Sequence, residues 1–134
     1  MRGSLVGCAL ALLLGLAGPA IAHHSAAGID RTKTVTLVGT INKFSWSSPH
    51  SWMEVLVPND KGGTDTWAVE MTSPTYLARA GWKSSSVKAG DKVSVVLRPL
   101  RSGDPGGLFV SVTLANGQTL SERPVGPAPP AANP

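Results

Sequence analysis

Ser73-Pro74-Thr75-Tyr76-Leu77-Ala78-Arg79-Ala80-Gly81 is the segment on which the fold reading turns. Ser73 can serve as an N-cap and Pro74 as the first helical residue, because the N–H that proline lacks has no partner in a first turn anyway. Gly81 can stop the helix in the left-handed conformation. Both flanks carry a period of two. The segment therefore reads as one short helix, Thr75 to Ala80, set among strands. Tyr76, Leu77 and Ala80 are expected to cover one open end of a sheet.

Working backwards, Thr64 to Glu70 is a strand in which Trp67 and Val69 oppose Ala68 and Glu70. Asn59-Asp60-Lys61-Gly62-Gly63 is a turn. Ser51 to Val57 is a strand closed by Pro58. Ser47-Ser48-Pro49-His50 breaks the chain before it. Upstream, Thr34, Thr36, Val38 and Thr40 alternate with Val35, Leu37, Gly39 and Ile41, a β-branched period-two pattern running from Lys33 towards Trp46. Gly39 marks an expected bend or bulge.

Working forwards, Trp82 to Val87 links to a turn at Lys88-Ala89-Gly90-Asp91, which launches a fourth strand, Lys92 to Leu97. Leu108 to Leu114 is a fifth. Asn116-Gly117 signals a tight turn, with a short return strand at Gln118-Thr119-Leu120. Three strands, a short helix and two more strands is the order of an OB-fold. The expected fold is all-β: a small five-stranded OB-like barrel with a short helix between strands 3 and 4. Another small, partly open β-barrel is the alternative.

The ends read differently. Met1-Arg2 is a short positive start, residues 5–19 are almost wholly apolar, and Ala20-Ile21-Ala22 places small residues at −3 and −1. This is the pattern of a signal peptide cleaved after Ala22. The run is shorter than the ~20 residues of a membrane span. No later run is long enough, so the processed protein is not expected to be an integral membrane protein. Leu5-Val6-Gly7-Cys8 resembles a lipoprotein box, but the apolar run follows the cysteine, which is the wrong order. Residues 23–32 read as an N-terminal arm of the loose kind. The barrel spans 33–121. Residues 122–134 are proline-rich, without large apolar side chains, and read as a disordered tail.

Cys8 is the only cysteine, so the processed chain would hold neither a disulfide nor a thiolate metal site. Loss of Arg2 would leave eleven basic against eight acidic residues, a net charge of +3. The basic residues are scattered, with no basic run and no nucleic-acid motif, so nucleic acid is not an expected partner. There is no Gly-x-Ser-x-Gly elbow and no His-Glu-x-x-His. Ser102-Gly103-Asp104-Pro105-Gly106-Gly107 lacks the Lys-Ser/Thr end of a phosphate loop and reads as a turn. The chain therefore reads as a non-enzyme. A histidine-brace copper oxidase is the one catalytic class that a terminal histidine leaves open.

Cleavage after Ala22 would expose His23 as the first residue, offering an α-amine and an imidazole together. The amine, with a reference pKa of ~7.7, deprotonates easily at neutral pH. His23 and His24 are candidate metal ligands, or else a solvated start. His50, at a loop-to-strand junction stiffened by Pro49, is a third candidate, or a histidine bonded to backbone. Glu70 is a candidate ligand, a partner orienting His50, or a solvent-face carboxylate. Met53 and Met71 read as packing residues. Trp46, Trp52, Trp67 and Trp82 form either a core or a stacking surface for a glycan or another flat ligand.

His23-His24-Ser25, Gly39, Phe44, Trp46, Ser48-Pro49-His50, Trp67 to Glu70, Gly81-Trp82 and Ala89-Gly90-Asp91 together resemble a family of small exported bacterial proteins whose domain has no assigned function. The resemblance spans His23 to Leu120. Ser48 stands where that pattern has Asn, and Ala89 where it has Pro. The resemblance implies export to a Gram-negative periplasm and the overall barrel, and brings no activity. A weaker resemblance, to periplasmic copper-handling OB domains, rests on Trp46, His50, Trp52 and Met53, since imidazole, thioether and a Trp face suit Cu(I). The resulting expectation is a metal-binding or metal-delivery protein that takes copper, or alternatively zinc, through His23 with His24, His50 and Glu70. Its partners would be the metal or an exported protein. The alternative is a glycan-, peptide- or protein-binding module using the barrel face and tryptophans.

Overall fold

The computed structural model describes residues 26–123. The expected signal peptide, His23, His24 and nearly all of the expected tail lie outside them. The elements are β1 (Val35–Ser45), β2 (Trp52–Pro58), β3 (Thr64–Glu70), α1 (Pro74–Arg79), β4 (Lys92–Pro99), β5 (Gly106–Leu114) and the short β6 (Thr119–Ser121). Antiparallel pairing runs β3-β2-β1-β4-β5-β6, and a parallel β3–β5 contact from Ala68↔Gly106 to Glu70↔Leu108 closes the sheet. The result is a five-stranded closed barrel with α1 between β3 and β4, as the segment order predicts.

β1 serves two neighbours in succession. Val35 to Thr40 pair with β4, and Thr40 to Ser45 with β2. Asn42 is the extra residue of a bulge: Ile41 pairs with Val55 and Lys43 with the adjacent Glu54. A bulge shifts side-chain parity by one. Leu37 and Ile41 point inward before it, whereas Phe44 and Trp46 pack against the core after it. The bulge thus falls three residues beyond the bend expected at Gly39. Gly39 has another task, because a Cβ there would run into the Leu56 carbonyl oxygen. A second irregularity, between Val96 and Leu97 in the β4–β5 register, lets Phe109 and Val112 both face inward.

The core holds Met53, Val55, Val69, Met71, Val95 and Leu97, all fully buried. Both methionines are packing residues, as expected. α1 caps one end of the barrel through Leu77, which is fully buried, while Ala80 packs at its edge. Tyr76 departs from expectation. It is 60% exposed, and Arg79 lies over its ring at 5.7 Å. A helix of six residues turns only one face to the core, and Leu77 occupies it. Ser73 sits at the N-cap position but makes no side-chain cap bond. At the other end Gly81 takes φ +91°, with Gly81 N–H donating to Ala78 O and Trp82 N–H to Leu77 O. This is the Schellman arrangement, and it delivers Trp82 into the core. Its indole N–H donates to Ser121 O at 2.8 Å, tying β6 to the barrel.

The described part of the arm is docked rather than loose. Ala26–Gly28 is a 3-10 turn and Ile29 is buried in an antiparallel bridge with Leu100. Asp30 N–H donates to Pro99 O, and Arg101 N–H to Gly28 O. Burial of one large aliphatic side chain contributes about 1.5–3 kcal/mol, enough to hold such a segment. No helix among the described residues is long and apolar enough to cross a membrane.

Candidate functional site

The β1–β2 loop folds onto the end of β3. Ser51 N–H donates to Thr72 O and accepts Met71 N–H at its own carbonyl. Ser47 Oγ donates to His50 O at 3.0 Å. These bonds place the His50 ring over Glu70–Met71. Nδ1 lies 3.0 Å from Met71 O and 3.2 Å from Glu70 Oε1. The His50 side chain is 45% exposed and that of Glu70 15%. Two of the candidate residues, 20 positions apart in sequence, are therefore in contact. His23 and His24 lie outside the described residues. Among the described residues, no group of three His, Cys, Asp or Glu is arranged to hold a metal ion.

Glu70 also faces a second neighbour. In the β2–β3 register it pairs with Trp52, both on the outer face with Ala68. The alternation expected from sequence holds, since Val69 is buried and Trp67 packs against the core on the opposite face. Trp52, Ala68 and Glu70 open into a pocket of ≈ 170 Å³, completed by Ile29, Leu100 and Asp104 to Gly107. Its rim is thus the arm and the β4–β5 loop. The remaining tryptophans, Trp46, Trp67 and Trp82, pack in or against the core. Only Trp52 faces this pocket.

The pocket is anionic. Among the described residues the ion pairs are Lys33–Asp30, Lys88–Asp91 and His50–Glu70, so neither Glu70 nor Asp104 has a Lys or Arg partner. Ser102 Oγ donates to Asp104 Oδ2 at 2.8 Å. Glu54, two residues along β2 from Trp52, accepts from Asn42 Nδ2 at 2.9 Å. Beyond His50 lies Glu122, whose Oε1 accepts Thr72 N–H at 2.6 Å. Burial raises its pKa above the ordinary carboxylate value, against the lowering effect of the Thr72 bond and of His50.

Asp104, Glu122, Ile29 and Leu100 did not stand out in the sequence. Asp104 sits in a segment that reads simply as a glycine-rich turn. Its importance follows from where Gly106 and Gly107 dock against β3, which no local signal reports.

Comparison with known proteins bears on fold and family. Two crystal structures of the mitochondrial single-stranded DNA-binding protein Rim1 from S. cerevisiae are similar. One has 14% identity, covers 62% of this chain and 93% of that chain, and gives a TM-score of 0.47. The other, selenomethionine-labelled, has 15% identity, covers 61% and 92%, and gives 0.46. The expectation that nucleic acid is not a partner is corrected: the similar structures are of a protein named for binding single-stranded DNA. Single-strand binding draws on aromatic stacking as well as on a charged groove, so scattered Lys and Arg do not rule it out. At this identity and TM-score the likeness assigns no partner. No curated protein matches the sequence. The family of unknown function DUF6152 matches residues 11–110, and with three quarters of its length aligned the chain belongs to that family.

Proposed function

We propose that the chain is a non-enzymatic binding module, exported to the periplasm after cleavage behind Ala22, that holds its ligand on the outer face of β2–β3. The observation that carries this reading is the Trp52–Glu70 register pair opening into the pocket between the arm and the β4–β5 loop. An aromatic face beside a few convergent polar groups is the usual make-up of a recognition site. In OB-folds the β2–β3 face with its flanking loops is the customary binding surface. The export reading is supported by the Met1-Arg2 start, the apolar run and Ala20-Ile21-Ala22.

The test is an NMR titration of the processed, ¹⁵N-labelled protein with short peptides, oligosaccharides and single-stranded DNA. The expected result is movement of the Trp52 indole N–H and the Ala68–Glu70 amides, lost in Trp52→Ala. Binding that moves other regions, or that survives Trp52→Ala, would overturn the reading. Intact mass of the exported protein should give a start at His23.

A second reading, capture of copper or zinc, has its own support. Met71 O and the Glu70 carboxylate are both acceptors at Nδ1 of His50. Nε2 therefore keeps its lone pair for a metal, with Glu70 orienting the ring. The arm passes the same pocket at Ile29, six residues from His23, a reach of roughly 20 Å. In this reading His23, His24 and His50 supply nitrogen donors. Calorimetric titration with Cu(II) and Zn(II) tests it. One-to-one binding weakened by His50→Ala and by one extra residue before His23 is expected. Binding indifferent to both would dismiss it.

A further inference from the structure

The geometry points to a specific ligand class for the Trp52 pocket: we infer that it receives one cationic side chain, lysine or arginine, of a partner polypeptide. This deepens the binding-module reading and rests on it. Size comes first. Pockets for drug-sized ligands and cofactors run to roughly 300–1,000 Å³, and this one is ≈ 170 Å³. It suits a single side chain.

The lining has two kinds of surface. Ile29, Leu100 and Pro105 are apolar, whereas Glu70 and Asp104 bring carboxylates and Trp52 an aromatic face. Lysine and arginine have the matching two-part form, a methylene stem that packs on apolar surface and a charged head that does not. The head gains from charge-assisted bonds to carboxylates and from the Trp ring. Among the described residues no Lys or Arg of the chain lies within ion-pair distance of either carboxylate, and Glu70 is paired with His50 alone, so the site has no lysine or arginine of its own to displace. Ala68 keeps the floor between Trp52, Glu70 and Gly106 free of bulk.

The test uses the processed full chain and capped alanine-rich peptides with one central lysine or arginine. Their uncharged counterparts carry norleucine or citrulline at that position. The readouts are the Trp52 indole N–H and the Ala68, Glu70 and Gly106 amides. Lysine and arginine peptides should move these signals, and higher salt should weaken the effect. Glu70→Gln combined with Asp104→Asn should weaken binding by roughly tenfold or more, the scale of a lost charge-assisted bond. Both replacements keep an acceptor for His50 and Ser102, so the fold should persist, which the amide spectrum checks directly. Equal binding of the norleucine and citrulline peptides, or unchanged affinity in the double variant, overturns the cationic assignment while leaving a binding face. Absence of any Trp52 response to these peptides overturns the cationic assignment, while the module reading stands or falls on the oligosaccharide and single-stranded DNA titrations.

Discussion

His50 and Glu70 meet through one ring nitrogen, Nδ1, 3.2 Å from Glu70 Oε1 with the Met71 carbonyl at 3.0 Å. Neither an ionised carboxylate nor a carbonyl can donate, so Nδ1 carries the proton. The first prediction is that neutral His50 is the Nδ1–H tautomer, with Nε2 as the acceptor nitrogen. Ring ¹⁵N shifts read this directly. In Glu70→Ala the tautomer should persist, because Met71 O remains. A pyridine-like Nδ1 in the unmodified protein would contradict the geometry.

Leu77 and Tyr76 are adjacent on α1 and should respond very differently. Leu77 is fully buried at the barrel end, and Tyr76 is 60% exposed. Leu77→Ala should cost about 2–5 kcal/mol in denaturant unfolding. Tyr76→Ala should fall within about 0.5 kcal/mol of the unmodified chain. Comparable losses would mean that the helix packs through the other face.

Gly107 marks the barrel closure. A Cβ there would collide with Arg98 O and come within 2.7 Å of Leu97 Cδ1. Both lie on β4, whose backbone is held by pairing on two sides. Gly107→Ala should therefore destabilise by about 1–3 kcal/mol or more. Gly28→Ala meets nothing within 4 Å and should be close to neutral. Thermal melts of the two variants decide this.

Glu122 supplies a pH dependence with a definite sign. Burial holds its folded pKa above 4.5, with His50, Arg123 and Glu70 as the facing charges. The folded state then binds the proton more tightly than the unfolded state. Its favourable contribution is full below pH 4.5 and is lost as the pH rises through the raised value. Exchange of the Thr72 amide, which donates to Glu122, should slow as the pH falls through that window once the intrinsic rate is removed. Glu122→Gln keeps an acceptor and should abolish the trend.

Local pattern was enough to place most elements. β3 falls on Thr64–Glu70 as its alternation predicts, and α1 lies between Ser73 and Gly81, where capping and proline signals bracket it. Cross-strand neighbours were less legible. Gly39 was visible as an exception to the strand pattern, but its cause, the approach of Leu56 O, belongs to another strand. The bulge at Asn42 likewise leaves no strong local mark, yet it turns Phe44 and Trp46 towards the core.

The sequence by itself determined the order of strands and helix, the opposition of Ala68 and Glu70 to Trp67 and Val69, and the packing role of Met53 and Met71, because period, capping and turn chemistry act over a few residues. Only the tertiary structure decided that His50 touches Glu70, that Trp52 stands opposite Glu70, and that Ile29 and Asp104 wall the same pocket. Those pairings depend on register and on barrel closure, which are set by the packing of segments distant in the chain.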